Sequence, residues 1–465
     1  MIDNLKSREL REKTRSNFIK NNIKKDNSCL VISINIPYDS YFDSLKNKLL
    51  KEARRIVDLR LYYKEIQIFK YKMLEDQKVI FMAIDGNPQE IKRLMIDIEN
   101  NNIAGRFFDL DVFDHKGHQL SRKKFNHPFR KCFICNQNAK ICIRKRKHTK
   151  KEIYSFIDLK TRKIENELKK SKNEFADKIK EIVYFSLINE LKTTPKPGLV
   201  DKTGIDSHKD MDFKLFKRST EAITPYFKKF VLLGVETDLP DDQMLEEIRK
   251  IGKEVEKTMF KVTNGINTQK GLIFSLGLIT TAVGVFYKKG FPDHNKTVYE
   301  NLSLIVSKWT EGIVERELSS FDNRGQLTNG EKVYKQYGIS GARGEAAIGY
   351  QTAISYGLPE LNKALKLGFS INDACIQALI NLMVFTEDSN IVYRSGIDTL
   401  KEIQLLSRNA IRAGGIYTSY GWEKIYKLID YIETVGTSPG GSADLLAVTI
   451  FLYKLDKDNY ILYSK

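Results

Sequence analysis

The spacing of apolar residues changes partway along this chain, and that change restricts the folds open to it. Leu30 to Pro37 (LVISINIP) is rich in β-branched residues and reads as a strand, with Ser40 to Arg60 following as an amphipathic helix. Two strand-like runs, Glu65 to Glu75 and Lys78 to Asp85, flank a turn. Pro88 to Asn101 then reads as a helix with proline in its first turn, and Phe108 to Phe113 as a further strand. The order β-α-β-β-α-β is that of a split βαβ, ferredoxin-like sheet. Beyond it the grammar differs. Thr149 to Lys180 is a dense charged stretch with helical spacing, and long amphipathic helical runs follow it. The expected architecture is multi-domain: an N-terminal α+β unit over residues 1–170 and an all-α unit over 171–465, with the boundary near Lys170.

Five short segments of glycine, proline and acid interrupt the helical half: PKPGLVD (Pro195 to Asp201), SHKDMDF (Ser207 to Phe213), NTQKG (Asn267 to Gly271), GARGEA (Gly341 to Ala346) and SPGGSAD (Ser438 to Asp444). Helix packing alone requires none of them. Tight turns bring backbone N–H groups close to anions, and adjacent carboxylates hold divalent cations. Several such turns in one domain point to a pocket for a polyphosphate with Mg²⁺. The net charge of +18 favours anionic partners too, although a lysine-rich solvated surface gives the same balance. The opening residues, MIDNLKSRELREK, contain no apolar signal core. The longest uncharged run, Gly271 to Tyr287, falls short of the roughly 20 residues that span a bilayer. A buried core helix is expected there, and no membrane partner. Five cysteines, three of them clustered, argue against a secreted disulfide framework, so a cytoplasmic protein is expected.

In the first half the sharpest feature is Asp109 and Asp111 in GRFFDLDVFD. Residues two apart on a strand face the same side, so both carboxylates converge on one point and could hold Mg²⁺ for phosphoryl or nucleotidyl transfer. A solvated acidic edge strand has the same pattern. Arg106 just ahead offers a clamp for a phosphate oxygen. Cys132, Cys135, Cys142 and His148 follow in RKCFICNQNAKICIRKRKH, a Cys₃His set able to close tetrahedrally on zinc. Three reduced cysteines beside a surface histidine are the alternative. The KRKHTKK run at its end is a basic patch for a phosphate or an acidic protein, or a solvated face.

These residues resemble the apo-citrate lyase phosphoribosyl-dephospho-CoA transferases, the holo-acyl-carrier-protein synthases of citrate lyase. The likeness runs from Leu5-Lys6-Ser7-Arg8 through Asn35-Ile36-Pro37, GRFFDLDV and Leu120-Ser121-Arg122 to the Cys-Cys-Cys-His segment, with Tyr38 where the family often has glycine. It implies a nucleotidyltransferase-like sheet. It also implies transfer of phosphoribosyl-dephospho-CoA to a serine of the citrate lyase acyl carrier protein (gamma subunit), with release of pyrophosphate. Asp109 and Asp111 would be its catalytic metal-binding pair.

The five turn segments, in order, resemble the triphosphoribosyl-dephospho-CoA synthases over residues 175–460, together with Asp388-Ser389-Asn390 and Arg394. Gln269 stands where the family frequently has histidine, which argues against proton transfer at that position. The resemblance implies that ATP and 3′-dephospho-CoA combine, with a ribose hydroxyl displacing adenine. Glycosyl transfer of this kind needs acids to steady an oxocarbenium-like ring and to take the hydroxyl proton. His208, Asp210 and Asp212 are candidates, the aspartates also as Mg²⁺ ligands; an N-cap and a structural histidine are the plain alternatives. Glu345 is a further catalytic candidate, and Asp388 and Asp444 are further metal candidates. Lys270, Gly271, Arg343, Arg394, Gly440 and Gly441 are the expected phosphate-binding positions. The expectation is a bifunctional enzyme that makes and attaches the citrate lyase prosthetic group. The same chemistry serving malonate decarboxylase, or a basic zinc-containing nucleic-acid-binding protein, are the rivals. The second leaves all five segments without a purpose, so no nucleic-acid partner is expected.

Overall fold

The computed structural model describes residues 2–37, 39–62, 64–135, 137–201, 211–290, 293, 296–319 and 327–458, with side chains from Glu9 onward. They form two compact units. One runs to Lys172 and includes the short segment around Lys289; the other spans Asn173 to Lys288 and continues from Lys296.

In the first unit α1 (Ile2–Asn22) and β1 (Ser28–Ile34) lead into α2 (Asp43–Tyr62), β2 (Ile68–Leu74) and β3 (Val79–Ile84). Then come α3 (Pro88–Asn101), β4 (Phe108–Phe113), α4 (Ala139–Arg144) and the first part of α5 (Lys150–Lys192). The sheet order is β2-β3-β1-β4 with each neighbouring pair antiparallel, as the split βαβ pattern requires. Period-2 alternation sorts the two faces. Leu30, Ile32, Ile80, Met82, Leu110 and Val112 share a core with Leu49, Leu50 and Ala53 of α2 and Ile91 and Met95 of α3. Cys29, Phe81, Ala83 and Phe113 face the other way and pack on Phe18 and Ile19 of α1. That helix was not expected, because its few apolar contacts are submerged in charged sequence. The helix expected from Ser40 starts with a 3₁₀ turn, Ser40–Phe42, capped by Asp39.

β4 lies at the sheet edge, where unpaired backbone groups invite unwanted strand pairing. Side chains answer them here. Lys92 Nζ donates to Leu110 O at 2.8 Å, Leu110 N donates to Glu99 Oε1 at 2.9 Å, and Arg130 Nη1 donates to Phe108 O at 2.8 Å.

The second unit is helical: the rest of α5, then α6 (Phe213–Ile223), α7 (Phe227–Glu236), α8 (Asp241–Val262), α9 (Lys270–Lys289) and further helices ending with Gly440–Lys457. α9 is long and apolar enough to cross a membrane by length and composition, but 83% of its apolar window is buried in the chain. It is a core helix. α7 and α9 touch backbone to backbone where Gly284 meets Gly234. A methyl at Gly284 would overlap Val231 O and come within 3.0 Å of Gly234 Cα. Gly284→Ala is therefore expected to destabilise this unit by about 2–3 kcal/mol, the cost of overpacking a core that cannot shift. Denaturant titration of the full chain reads this out, and an unchanged midpoint would contradict the backbone contact.

Candidate functional site

Each unit has its own cavity. The first, of about 880 Å³, is lined by Asp109, Asp111 and Glu99 and by nine lysines and arginines, among them Lys92, Arg106, Arg122 and Arg130. Asp109 pairs with Ser33, and Asp111 with Val31, across the β1–β4 ladder. The two acids therefore share a face, as the D-x-D spacing predicts. Arg130 approaches Asp109 at 3.3 Å. Glu99, itself buried, ion-pairs with both Arg122 (2.9 Å) and Arg130 while accepting from the β4 backbone. Burial, and next the charge of Asp109, push the Asp111 carboxyl up to about 6. Two oxygen-donor acids that repel one another in a half-dry site suit a hard divalent cation. Arg106 lies at the same cavity, its guanidinium 5.3 Å from the Phe133 ring centroid and donating to Lys131 O.

The cysteine segment forms part of this wall. Cys135 Sγ is 3.5 Å from Cys142 Sγ and 3.3 Å from His148 Nε2, and the ligand atoms of Cys132, Cys135, Cys142 and His148 all lie within 4.8 Å of one another. Sequence reasoning passed over Lys92, Glu99, Arg122 and Arg130. The first two had a signal: they sit two helical turns apart on α3, on the apolar stripe of Ile91, Met95 and Ile98.

The second cavity, of about 670 Å³, lies where turn segments of the helical unit converge. Lys196, Asn267 to Gly271, Gly341, Glu345, Ser389, Asn390, Arg394, Gly440, Gly441 and Asp444 all line it. α9 and the helix Gly440–Lys457 both begin here, so the positive ends of two helix dipoles face the cavity; the Lys270 and Ser442 N–H groups are themselves bonded, to Asn267 Oδ1 and Asp388 Oδ2. Gly271 is fixed by contact with the last helix: a Cβ there would overlap Asp444 Oδ2. Burial, then the charges of Asp388 and Glu190, raise the Asp444 carboxyl well above its ordinary range. Glu345 Oε1 accepts from Thr352 Oγ1 at 2.8 Å, while Oε2 is buried without a hydrogen-bond partner. Burial pushes this carboxyl up to about 7, and the nearby Glu387 charge adds to the effect. An acid balanced near neutrality in a cavity is suited to proton transfer.

Several expected residues turn out to be placed elsewhere. Asp212 caps α6, its Oδ1 accepting from Leu215 N at 2.6 Å, and is exposed rather than facing the cavity. Asp388 is buried as a cap for two helices, accepting from Asn390 N at 3.1 Å and Ser442 N at 2.9 Å. Arg343 is ion-paired with Glu317 at 2.8 Å and does not line the cavity. Lys270 and Arg394 do line it, Lys270 with Glu256 at 3.0 Å. Gln269 ties α9 to α6, its Nε2 donating to Thr220 Oγ1 at 3.0 Å and its Oε1 accepting from Ser219 Oγ at 2.8 Å, a structural use of the amide. His208 and Asp210 lie outside the described residues.

Two cavity residues, Lys196 and Glu190, escaped the sequence reading, as did Tyr350 next to the lining residue Ser275. Lys196 is buried against Glu190 at 2.7 Å, and both line the cavity; its position inside PKPGLVD was the available signal. Tyr350, fully buried at a backbone φ of +59°, has its hydroxyl next to Ser275 and near the charges of Glu345 and Asp444. Such a backbone is rare for a bulky residue and marks functional regions.

Residues 1–164 match the family described as apo-citrate lyase phosphoribosyl-dephospho-CoA transferase (CitX), and residues 176–461 the family described as ATP:dephospho-CoA triphosphoribosyl transferase (CitG). The chain is 36% identical over 383 residues to the protein CitXG of Haemophilus influenzae, covering 81% of this chain and 80% of that one. It is 32% identical over 411 residues to the protein CitXG of Leuconostoc mesenteroides subsp. cremoris, covering 86% of each. It is also 36% identical over 343 residues to the 2-(5''-triphosphoribosyl)-3'-dephosphocoenzyme-A synthase of Haemophilus ducreyi, spanning 69% of this chain and 99% of that one.

The Glu345 environment makes a prediction that needs no substrate. Its folded-state pKa of about 7 lies above the ordinary 4.5, so the folded chain holds this proton more tightly than the unfolded one. Stability is then lost as pH rises from the ordinary carboxylate range through about 7. Glu345→Gln removes that loss. The variant should be about 2–3 kcal/mol more stable than the parent near pH 9 and nearly equal to it near pH 4. Equal stability of the two across the whole range would contradict the buried carboxyl.

Proposed function

The chain belongs to the family of CitX–CitG fusions, transferases that make and attach the citrate lyase prosthetic group, and we propose how its two cavities divide that work. The observation that carries the division is that each matched stretch contains its own cavity lined by both acids and cations. The synthase is assigned to the helical cavity and the transferase to the D-x-D cavity, with the boundary between them near Lys170.

In the synthase a ribose hydroxyl oxygen of 3′-dephospho-CoA bonds to the anomeric carbon of ATP while the bond to adenine breaks. Adenine leaves with that electron pair, and the hydroxyl proton ends, in net terms, on adenine. Glu345 takes the proton as the oxygen attacks, its raised pKa matching the task. Lys270, Arg394 and the positive dipole ends at the start of α9 and Gly440–Lys457 bind the triphosphate. Asp444 is assigned to a divalent cation such as Mg²⁺, which would offset the burial and the neighbouring charges that raise its pKa. When bound, that ion neutralises phosphate charge. His208 and Asp210 keep their proposed proton-transfer and metal roles on the family resemblance alone.

In the transferase a serine oxygen of the acyl carrier protein bonds to the phosphorus nearest the transferred ribose, pyrophosphate departs with the electron pair of the broken P–O bond, and the serine proton ends, in net terms, on pyrophosphate or solvent. Asp109 and Asp111 are assigned to Mg²⁺, and Arg130, Arg122 and Arg106 to the phosphates. An excess of cations around the cavity suits an anionic donor and an acidic carrier surface.

With ATP, 3′-dephospho-CoA and Mg²⁺, and no carrier, the chain is expected to release adenine. Glu345→Gln should lower turnover roughly 100-fold or more, the usual contribution of a general base. Parent turnover should rise with pH through about 7, as Glu345 loses its proton, and this rise should vanish in the variant. Asp109→Asn should leave adenine release intact and abolish pyrophosphate release when carrier is added. Adenine release that survives Glu345→Gln, or fails in Asp109→Asn, would overturn the assignment.

A further inference from the structure

We propose that Cys132, Cys135, Cys142 and His148 form a closed structural Zn²⁺ site that fixes the arginine-bearing wall of the transferase cavity. The donor geometry supports the metal. Tetrahedral zinc with bonds of about 2.3 Å to sulfur and 2.0–2.1 Å to nitrogen sets neighbouring donors of a Cys₃His set about 3.5–3.8 Å apart, close to what is found here. The Cys135–His148 and Cys135–Cys142 separations are 3.3 and 3.5 Å, with all four donors mutually within 4.8 Å. All three cysteines are free of disulfides. The backbone N–H groups of Cys135 and Ile134 donate to the Cys132 sulfur, as amides do around a metal-bound thiolate.

Hydrophobic burial does not account for the shape of this segment. Ile134, Ile141 and Ile143 are exposed, Ile143 by 75%, and α4 has only six residues. Small folds of this kind are held by a metal. Three thiolates, a neutral imidazole and Zn²⁺ leave one net negative charge, which the surrounding run Arg144-Lys145-Arg146-Lys147 balances.

Four protein ligands leave zinc no open position, so the site is structural. Its consequence lies within two residues of Cys132. Arg130 donates to the β4 backbone and faces Asp109, Lys131 O receives Arg106, and Phe133 stacks between Phe107 and Phe156. Fixing Cys132 thereby holds Arg130 and Arg106 at the phosphate-binding face.

The test uses the full chain, purified without chelator. Elemental analysis is expected to find one zinc per chain, absent in Cys135→Ser and retained in His148→Cys, since four thiolates also bind zinc. The Co²⁺-substituted chain should show a tetrahedral thiolate spectrum that pyrophosphate leaves unchanged. In Cys135→Ser, adenine release should match the parent while the rate of transfer to carrier falls roughly tenfold or more, with His148→Cys restoring it. The transfer readout rests on the transferase assignment; the zinc count and spectrum do not. A parent chain with no zinc, or with Cys135 and Cys142 joined in a disulfide, would overturn the site. A Co²⁺ spectrum that shifts with pyrophosphate would overturn its structural role.

Discussion

Asp444 lies against Gly271, and the long apolar core helix α9 can begin beside the last helix because that position has no side chain. The contact brings two helix N-termini to one cavity and places a carboxylate between them. A carboxylate removed from water must be matched by a donor, a cation or a proton. Asp388, one step away, is matched by backbone donors of two helices. Asp444 and Glu345 are not matched in this way, and their raised pKa values express that deficit. The same rule organises the sheet unit. There Glu99 is satisfied by two arginines and a strand amide, while Asp109 and Asp111 are left to repel each other at the cavity. Asp388 and Glu99, matched by donors and cations, act as joints, whereas Asp444, Glu345 and Asp111 are less well matched and line a cavity.

Much of this was legible in the sequence where one periodicity decides the outcome. Alternation placed Asp109 and Asp111 on one face, and the observed helix Pro88–Asn101 and strand Phe108–Phe113 have the expected bounds. Cysteine spacing anticipated a cluster that the fold does gather. Other residues were not separable by pattern. Asp212, Asp388 and Asp444 each stand at or near a helix start, where an N-cap and a ligand look alike. Arg343 and Glu345 are neighbours in sequence but two apart on a helix, so they face different ways: one meets Glu317, the other the cavity. α1 was hidden because only a few of its residues carry the packing.

The two cavities are matched to a shared chemical burden. Under the proposed division each holds a chain of phosphates, and each is lined by both cations and acids. They differ in what acts on the substrate. The helical cavity has an acid near neutrality, which suits the proposed loss of a hydroxyl proton, whereas the sheet cavity has paired acids with an arginine beside them. Joining both in one chain keeps the intermediate near its consumer, with the gain set by the tether rather than by any new contact.

The most direct measurement is the intact mass of the citrate lyase acyl carrier protein after incubation with the chain, ATP, 3′-dephospho-CoA and Mg²⁺. The carrier is expected to gain the mass of one phosphoribosyl-dephospho-CoA group, and no mass when ATP or 3′-dephospho-CoA is omitted. A carrier that stays at its apo mass while adenine accumulates would contradict the claim that one chain both makes the group and attaches it.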